Sequence, residues 1–163
     1  MKGNEKLITV LNSLLADELT VISQYMVQSE MCANWGYGKL HKAIRKQAMD
    51  EMHHAEWLIE RIIFFDGAPT VSKLNTIKVG KTVSEMISND DHTELDVVRA
   101  YNDAIKLARE VDDQGTIDLL TRYLKWKKVT SIGQKYNVHR LSKWVWKIIW
   151  SIKRKVRQAE GLN

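Results

Sequence analysis

The 163-residue chain contains one proline, one cysteine and eight glycines. That scarcity of proline and glycine excludes collagen-like and low-complexity chains. A lone cysteine, Cys32, excludes a disulfide framework and suits a reducing compartment. No apolar run reaches the ~18 residues that span a bilayer. The opening residues, Met1-Lys2-Gly3-Asn4-Glu5, lack the apolar stretch of a secretory signal, so the expected location is the cytoplasm. With 44% apolar residues, the length suits one globular domain with a real core.

Acidic residues are scarce in one place only. The net charge of +5 is a sum of unlike parts. Residues 1–125 carry 15 Lys+Arg against 19 Asp+Glu, a net of −4, whereas residues 126–163 carry 10 Lys+Arg and a single acid, Glu160, a net of +9. Four of the six tryptophans (Trp126, Trp144, Trp146, Trp150) also fall in that last segment. The chain reads as an acidic body, 1–125, followed by a compositionally foreign basic segment, 126–163.

The body is helical almost throughout, with a strand signal only near Thr76-Ile77-Lys78-Val79. Leu7, Leu11, Leu14, Leu15, Val21, Ile22 and Tyr25 make one helical face, punctuated by Gly36 and Gly38. Leu40, Ile44, Ala48, Ala55, Leu58, Ile62 and Phe65 make a second, stopped by Gly67-Ala68-Pro69. Thr82-Val83-Ser84-Glu85 has capping-box spacing and opens a third, with Ile87, Val97, Val98, Tyr101, Ile105 and Ala108. After the turn Asp112-Asp113-Gln114-Gly115, a fourth starts near Thr116 with Leu119, Leu120, Tyr123 and Leu124. The first and third connections are short and the middle one is long. The expected fold is all-α: a four-helix bundle with one long crossover between helices 2 and 3.

Three of these stripes carry charge where a core helix should carry leucine. Glu18 sits mid-stripe in the first helix, Glu51 and His54 interrupt the second, and Glu94 lies between Ile87 and Val97 in the third. An ionised carboxylate in an apolar bundle costs several kcal/mol or more unless it is paired or binds metal. Glu51-x-x-His54 aims two groups from one helical face, one turn apart. A lone glutamate on a stripe is usually a boundary residue reaching solvent. Four such groups on three helices point instead to a shared metal, and iron or manganese suits oxygen ligands plus imidazole.

The chain resembles bacterioferritin, the haem-containing ferritin family, over residues 1 to about 125. The resemblance rests on Leu14-Leu15-Ala16-Asp17-Glu18-Leu19-Thr20, Gln24-Tyr25-Met26, Asn34-Trp35-Gly36-Tyr37, Asp50-Glu51-Met52-His53-His54-Ala55-Glu56, Ile87-Ser88-Asn89-Asp90 with Glu94, and Gly115-Thr116 to Leu120. It implies a ferritin-like bundle and an iron-storage cage of twenty-four subunits. Each subunit would hold a di-iron ferroxidase centre that oxidises Fe(II) with oxygen or peroxide, with haem b at a two-fold interface. Glu18, Glu51, His54 and Glu94 match four of the six iron ligands, Glu51 and Glu94 being the bridging carboxylates. Tyr25 matches an aromatic residue beside the centre, and Met52 matches the haem ligand. Asp50 matches an inner-surface iron residue whose usual histidine partner is here Lys46.

The pattern breaks in the fourth helix. The stripe through Leu120 and Tyr123 next meets positions 127 and 130, where a second Glu-x-x-His is expected. Those positions hold Lys127 and Thr130. At an effective dielectric of ~20, a unit charge 4 Å from another is worth about 4 kcal/mol, here repulsive toward iron. Read one base earlier, Trp126-Lys127 gives glutamate at 127 whichever lysine codon is used, and Thr130 permits histidine. Lys143-Trp144-Val145-Trp146-Lys147-Ile148-Ile149-Trp150 permits Met-Gly-Leu-Glu-Asn-Tyr-Leu, which resembles the family's closing segment. An out-of-frame reading of the last segment explains both the break and its composition.

Other readings compete. The chain could be a haem-binding or storage subunit without a working ferroxidase centre, co-assembling with an intact partner subunit. The basic Trp-rich segment could form an amphipathic helix at a membrane surface or grip nucleic acid. A DNA-protecting mini-ferritin would lack the intra-bundle Glu-x-x-His. The reading adopted has no membrane partner and no specific nucleic acid.

Overall fold

The computed structural model describes residues 3–127, apart from the side chains of residues 91–94. Within that range the architecture is four helices: α1 (Glu5–Asn34), α2 (Gly38–Phe64), α3 (Val83–Glu110) and α4, helical over residues 114–127. The segment around Thr76–Val79 is not a strand. No helix among the described residues is long and apolar enough to cross a membrane.

Each helix begins and ends for a local reason. The Asn4 side chain accepts the Lys6 and Leu7 backbone N–H groups and caps α1. Thr82 does the same for α3 through the Glu85 N–H, while the Glu85 carboxylate reaches back to the Lys81 N–H. Asp113 accepts the Thr116 N–H at 2.8 Å at the head of α4. The first three helices end in the same paired back-bonding. Tyr37 and Gly36 return to the Cys32 and Ala33 carbonyls, Gly67 and Asp66 to Ile62 and Ile63, and Asp113 and Asp112 to Ala108 and Arg109. The residue that turns left-handed is Gly36 in one case, but Asp66 (φ 57°) and Asp112 (φ 52°) in the others. The stop read at Gly67 therefore lies one residue earlier, on an aspartate, a type that tolerates this conformation.

One core joins the elements. Leu7, Leu11, Leu14 and Leu15 of α1 meet Leu58 and Ile62 of α2, Tyr101, Ile105 and Ala108 of α3, and Leu120 and Tyr123 of α4. Met86 is buried as well, a position the periodicity did not single out.

The long crossover follows α1, and α1 side chains hold its backbone. Asn12 accepts the Thr70 N–H at 2.7 Å. Thr20 accepts the Asn75 N–H at 2.8 Å, and Asp17 takes the Asn75 amide. Gln24 accepts the Lys78 N–H at 2.8 Å, and Gln28 donates to the Val79 carbonyl at 3.1 Å. Both glutamines also donate to Asp90 of α3. Gly80 then turns the chain into α3 at φ +82°, where an added Cβ would lie 2.8 Å from the Met86 nitrogen. Gly80→Ala combines left-handed strain with that clash. It is expected to cost about 1–3 kcal/mol, read as a lower urea midpoint.

Cys32 is fully buried in α1, and burial, then the Asp90 charge, pushes its thiol from 9.0 up to about 11. The thiolate is the reactive form, so alkylation of the native chain is expected to be slow at pH 8 and to rise with pH toward 11. Because the folded value is raised, this thiol's contribution to stability is complete below pH 9.0 and is lost as pH climbs through about 11. A pH-independent alkylation rate across that window would contradict the assignment.

Candidate metal centre

The three charged groups that interrupt the α1 and α2 stripes come together inside the bundle. Glu18 is 1% exposed, Glu51 5% and His54 2%. One oxygen of each carboxylate and a ring nitrogen of His54 all lie within 4.8 Å of one another. His54 Nδ1 is 2.6 Å from Glu51 Oε2 and 4.0 Å from Glu18 Oε2. An ionised carboxylate only accepts hydrogen bonds, so Nδ1 carries the proton toward Glu51. Helix spacing produces the first pair, since Glu51 and His54 are three residues apart. Glu18 arrives from α1, which packs against α2.

Aromatic residues close the site. The Tyr101 O–H of α3 donates to Glu18 Oε1 at 2.8 Å. Burial, then the Glu18 charge, holds the Tyr101 phenol well above its usual range, so it remains a donor. Tyr123 of α4 stacks on Tyr101 with ring centroids 3.8 Å apart and meets the His54 ring edge-on at 4.5 Å. Burial and the Glu18 and Glu51 charges raise the Tyr123 phenol too. Trp126 lies edge-on to His54 at 4.3 Å, and Trp57 flanks it at 5.4 Å. The helical stripes place Tyr101 and Tyr123 among core positions and assign them no polar role. The missed signal is the hydroxyl, which needs a polar partner when buried.

The remaining sequence candidates fall as follows. Tyr25 is buried on α1, about two helical turns after Glu18. Glu94 lies within α3, and its side chain is outside the described residues. Met52 is 40% exposed on α2, with Met49 exposed one turn before it, so Met52 does not fill the core. Asp50 is held by Lys46 in a 2.7 Å ion pair. Lys127, the last described residue of α4, is buried, an unusual place for lysine. Thr130 and the basic Trp-rich stretch lie outside the described residues.

A buried set of two carboxylates and one imidazole from two helices, with a tyrosine from a third, is the donor chemistry of a ferritin-type bundle. The comparison with known families decides it: the ferritin-like domain family matches residues 8–128. The chain belongs to the bacterioferritin family. It is 37% identical over 119 residues to the bacterioferritin of Mycolicibacterium paratuberculosis, covering 73% of this chain and 75% of that one. It is 37% identical over 124 residues to a bacterial ferritin of Synechocystis, covering 76% and 80%. It is 38% identical over 113 residues to the bacterioferritin of Rhodobacter capsulatus, covering 69% and 70%.

Proposed function

We propose that the chain is an iron-storage subunit that binds Fe(II) at Glu18, Glu51, His54 and Glu94 and passes its electron to oxygen or peroxide. The observation that carries this reading is the convergence of Glu18, Glu51 and His54 in a dry interior. A first-row divalent ion takes nitrogen and oxygen donors at about 2.0–2.2 Å. Donor atoms within 4.8 Å of one another are therefore close to the spread one ion bridges. An ion entering there would relieve the two buried carboxylates, which supports reading the cluster as a binding site. His54 would bind as the neutral imidazole, its Nδ1 proton passing to Nε2 if Nδ1 is the ligand atom, and Tyr101 would keep Glu18 oriented through Oε1.

The wider assembly belongs to the same reading: a twenty-four-subunit cage storing ferric mineral, with haem b held by Met52 at a two-fold interface. Bound haem would supply one-electron redox chemistry beside the mineral. A thioether displayed on the outer face of α2 suits a ligand shared with a second copy. Lys127 and Thr130, standing where the resemblance expects a second Glu-x-x-His, favour a centre of reduced activity, and with it a subunit that co-assembles with an intact partner.

Anaerobic Fe(II) titration of the purified chain, followed by oxygen, tests the proposal. Fe(II) binding is expected in this chain and absent in Glu18→Ala with His54→Ala; equal binding by both would overturn it. Loss of the haem Soret band in Met52→Leu, with the oligomer intact by light scattering, is the result expected for the haem assignment. Tyr101→Phe removes the hydroxyl that orients Glu18 and is expected to lower metal affinity about 10–100-fold with the helical fold retained, measured by the same titration.

A further inference from the structure

We infer that this chain carries a one-base loss at about codon 125, so that the α4 ligands of the centre are encoded in its gene but read out of frame. The inference rests on the reading of Glu18, Glu51 and His54 as a metal centre. Four separate observations converge on one point in the chain. The ferritin-like match ends at residue 128, two residues after Trp126, and the matches to the relatives cover 70–80% of their length. The chain divides into two units between Trp126 and Lys127. Lys127 is buried, where lysine is rarely found unless paired. From residue 126 on, the composition turns from acidic to strongly basic with a single acid, Glu160.

The genetic code accounts for all four together. Tryptophan is TGG and lysine begins AA, so the last base of codon 126 and the first two of codon 127 spell GAA, glutamate. The next shifted codons are lysine or glutamate, then serine or glycine. The one after spans the third base of the Val129 codon and the AC of Thr130, which gives Tyr, His, Asn or Asp. Glutamate at 127 and histidine at 130 reproduce the Glu51-x-x-His54 spacing. In sequence they follow Tyr123 by four and seven residues, the spacing of one helical face. The same shift forces two further residues, glycine at Trp144-Val145 and glutamate at Trp146-Lys147. At both Trp-Lys pairs, Trp126-Lys127 and Trp146-Lys147, the shift therefore gives glutamate whichever lysine codon is used. Restoring one base within the Lys125 codon leaves Lys125 in place and gives Met or Val, then Glu.

Two measurements test this. The gene and its transcript, sequenced across codons 124–150, are expected to have C as the third base of the Val129 codon and no stop in the shifted frame. Any other base there, or a stop before codon 150, overturns the inference. The second measures Co(II) bound per subunit, anaerobically, in three chains: the chain as encoded, the chain with one base restored at codon 125, and Lys127→Glu with Thr130→His in the original chain. The restored chain is expected to hold about two ions per subunit and the encoded chain no more than about one. The double substitution is expected to raise occupancy even if the restored chain folds poorly. Equal occupancy in all three overturns this inference and leaves the Glu18–Glu51–His54 site standing. No binding in any overturns the site and the inference with it.

Discussion

His54→Ala is expected to abolish measurable metal binding, a loss of more than about 100-fold in affinity, and to unfold at lower denaturant than the parent. Both effects come from the 2.6 Å contact between His54 Nδ1 and Glu51 Oε2. Removing the imidazole deletes the nitrogen donor and leaves the Glu51 carboxylate buried without it. Leaving a buried acceptor without its partner costs about 1–3 kcal/mol, and more when it is charged. The companion variant, Glu51→Leu with His54→Leu, is expected to be more stable than His54→Ala, because the Glu51 carboxylate leaves together with its partner and only Glu18, still bonded to Tyr101, stays buried. It too should bind no metal. Urea unfolding with cobalt titration on all three chains reads both quantities. A double variant as unstable as His54→Ala would mean that the cluster holds the bundle together structurally.

Phe65→Ala is expected to be the most destabilising single core change outside the centre, at about 3–5 kcal/mol. Phe65 is 2% exposed at the end of α2. Its ring packs against the backbone at Gly3, where a Cβ would come within 2.4 Å of it. The Gly3 N–H bonds to the Phe65 carbonyl, and the Arg61 guanidinium lies over the ring at 4.4 Å. Arg61 in turn grips Thr116 and Asp113 at the start of α4. Truncating Phe65 therefore opens a void where the N-terminus, α2 and α4 meet. A drop of less than about 1 kcal/mol in urea unfolding would show that this corner collapses without cost.

How much of this could be read from sequence depended on which physical rule each residue broke. Glu18, Glu51 and His54 were legible because a carboxylate or imidazole on an apolar stripe contradicts the pattern around it. Tyr101 and Tyr123 were not, because their rings satisfy the stripe and only the hydroxyl asks for a partner. Gly36 announced the end of α1, whereas Asp66 and Asp112 adopt the same left-handed turn without the residue type that signals it. The capping of α3 was legible because its partners sit three residues apart. The hydrogen bonds from Asn12, Thr20, Gln24 and Gln28 to the crossover join residues separated by more than fifty positions, and no local period encodes them.

Those four tethers change what kind of connection the crossover is. An ordinary loop absorbs an added or missing residue at little cost, because only its ends are fixed. This one is fixed at Thr70, Asn75, Lys78 and Val79, each to a different turn of the first helix. A one-residue insertion between any two anchors would put every later anchor out of step with its partner. The segment works as a ruler laid along α1, and evolution or engineering that needs a longer chain here must add it elsewhere.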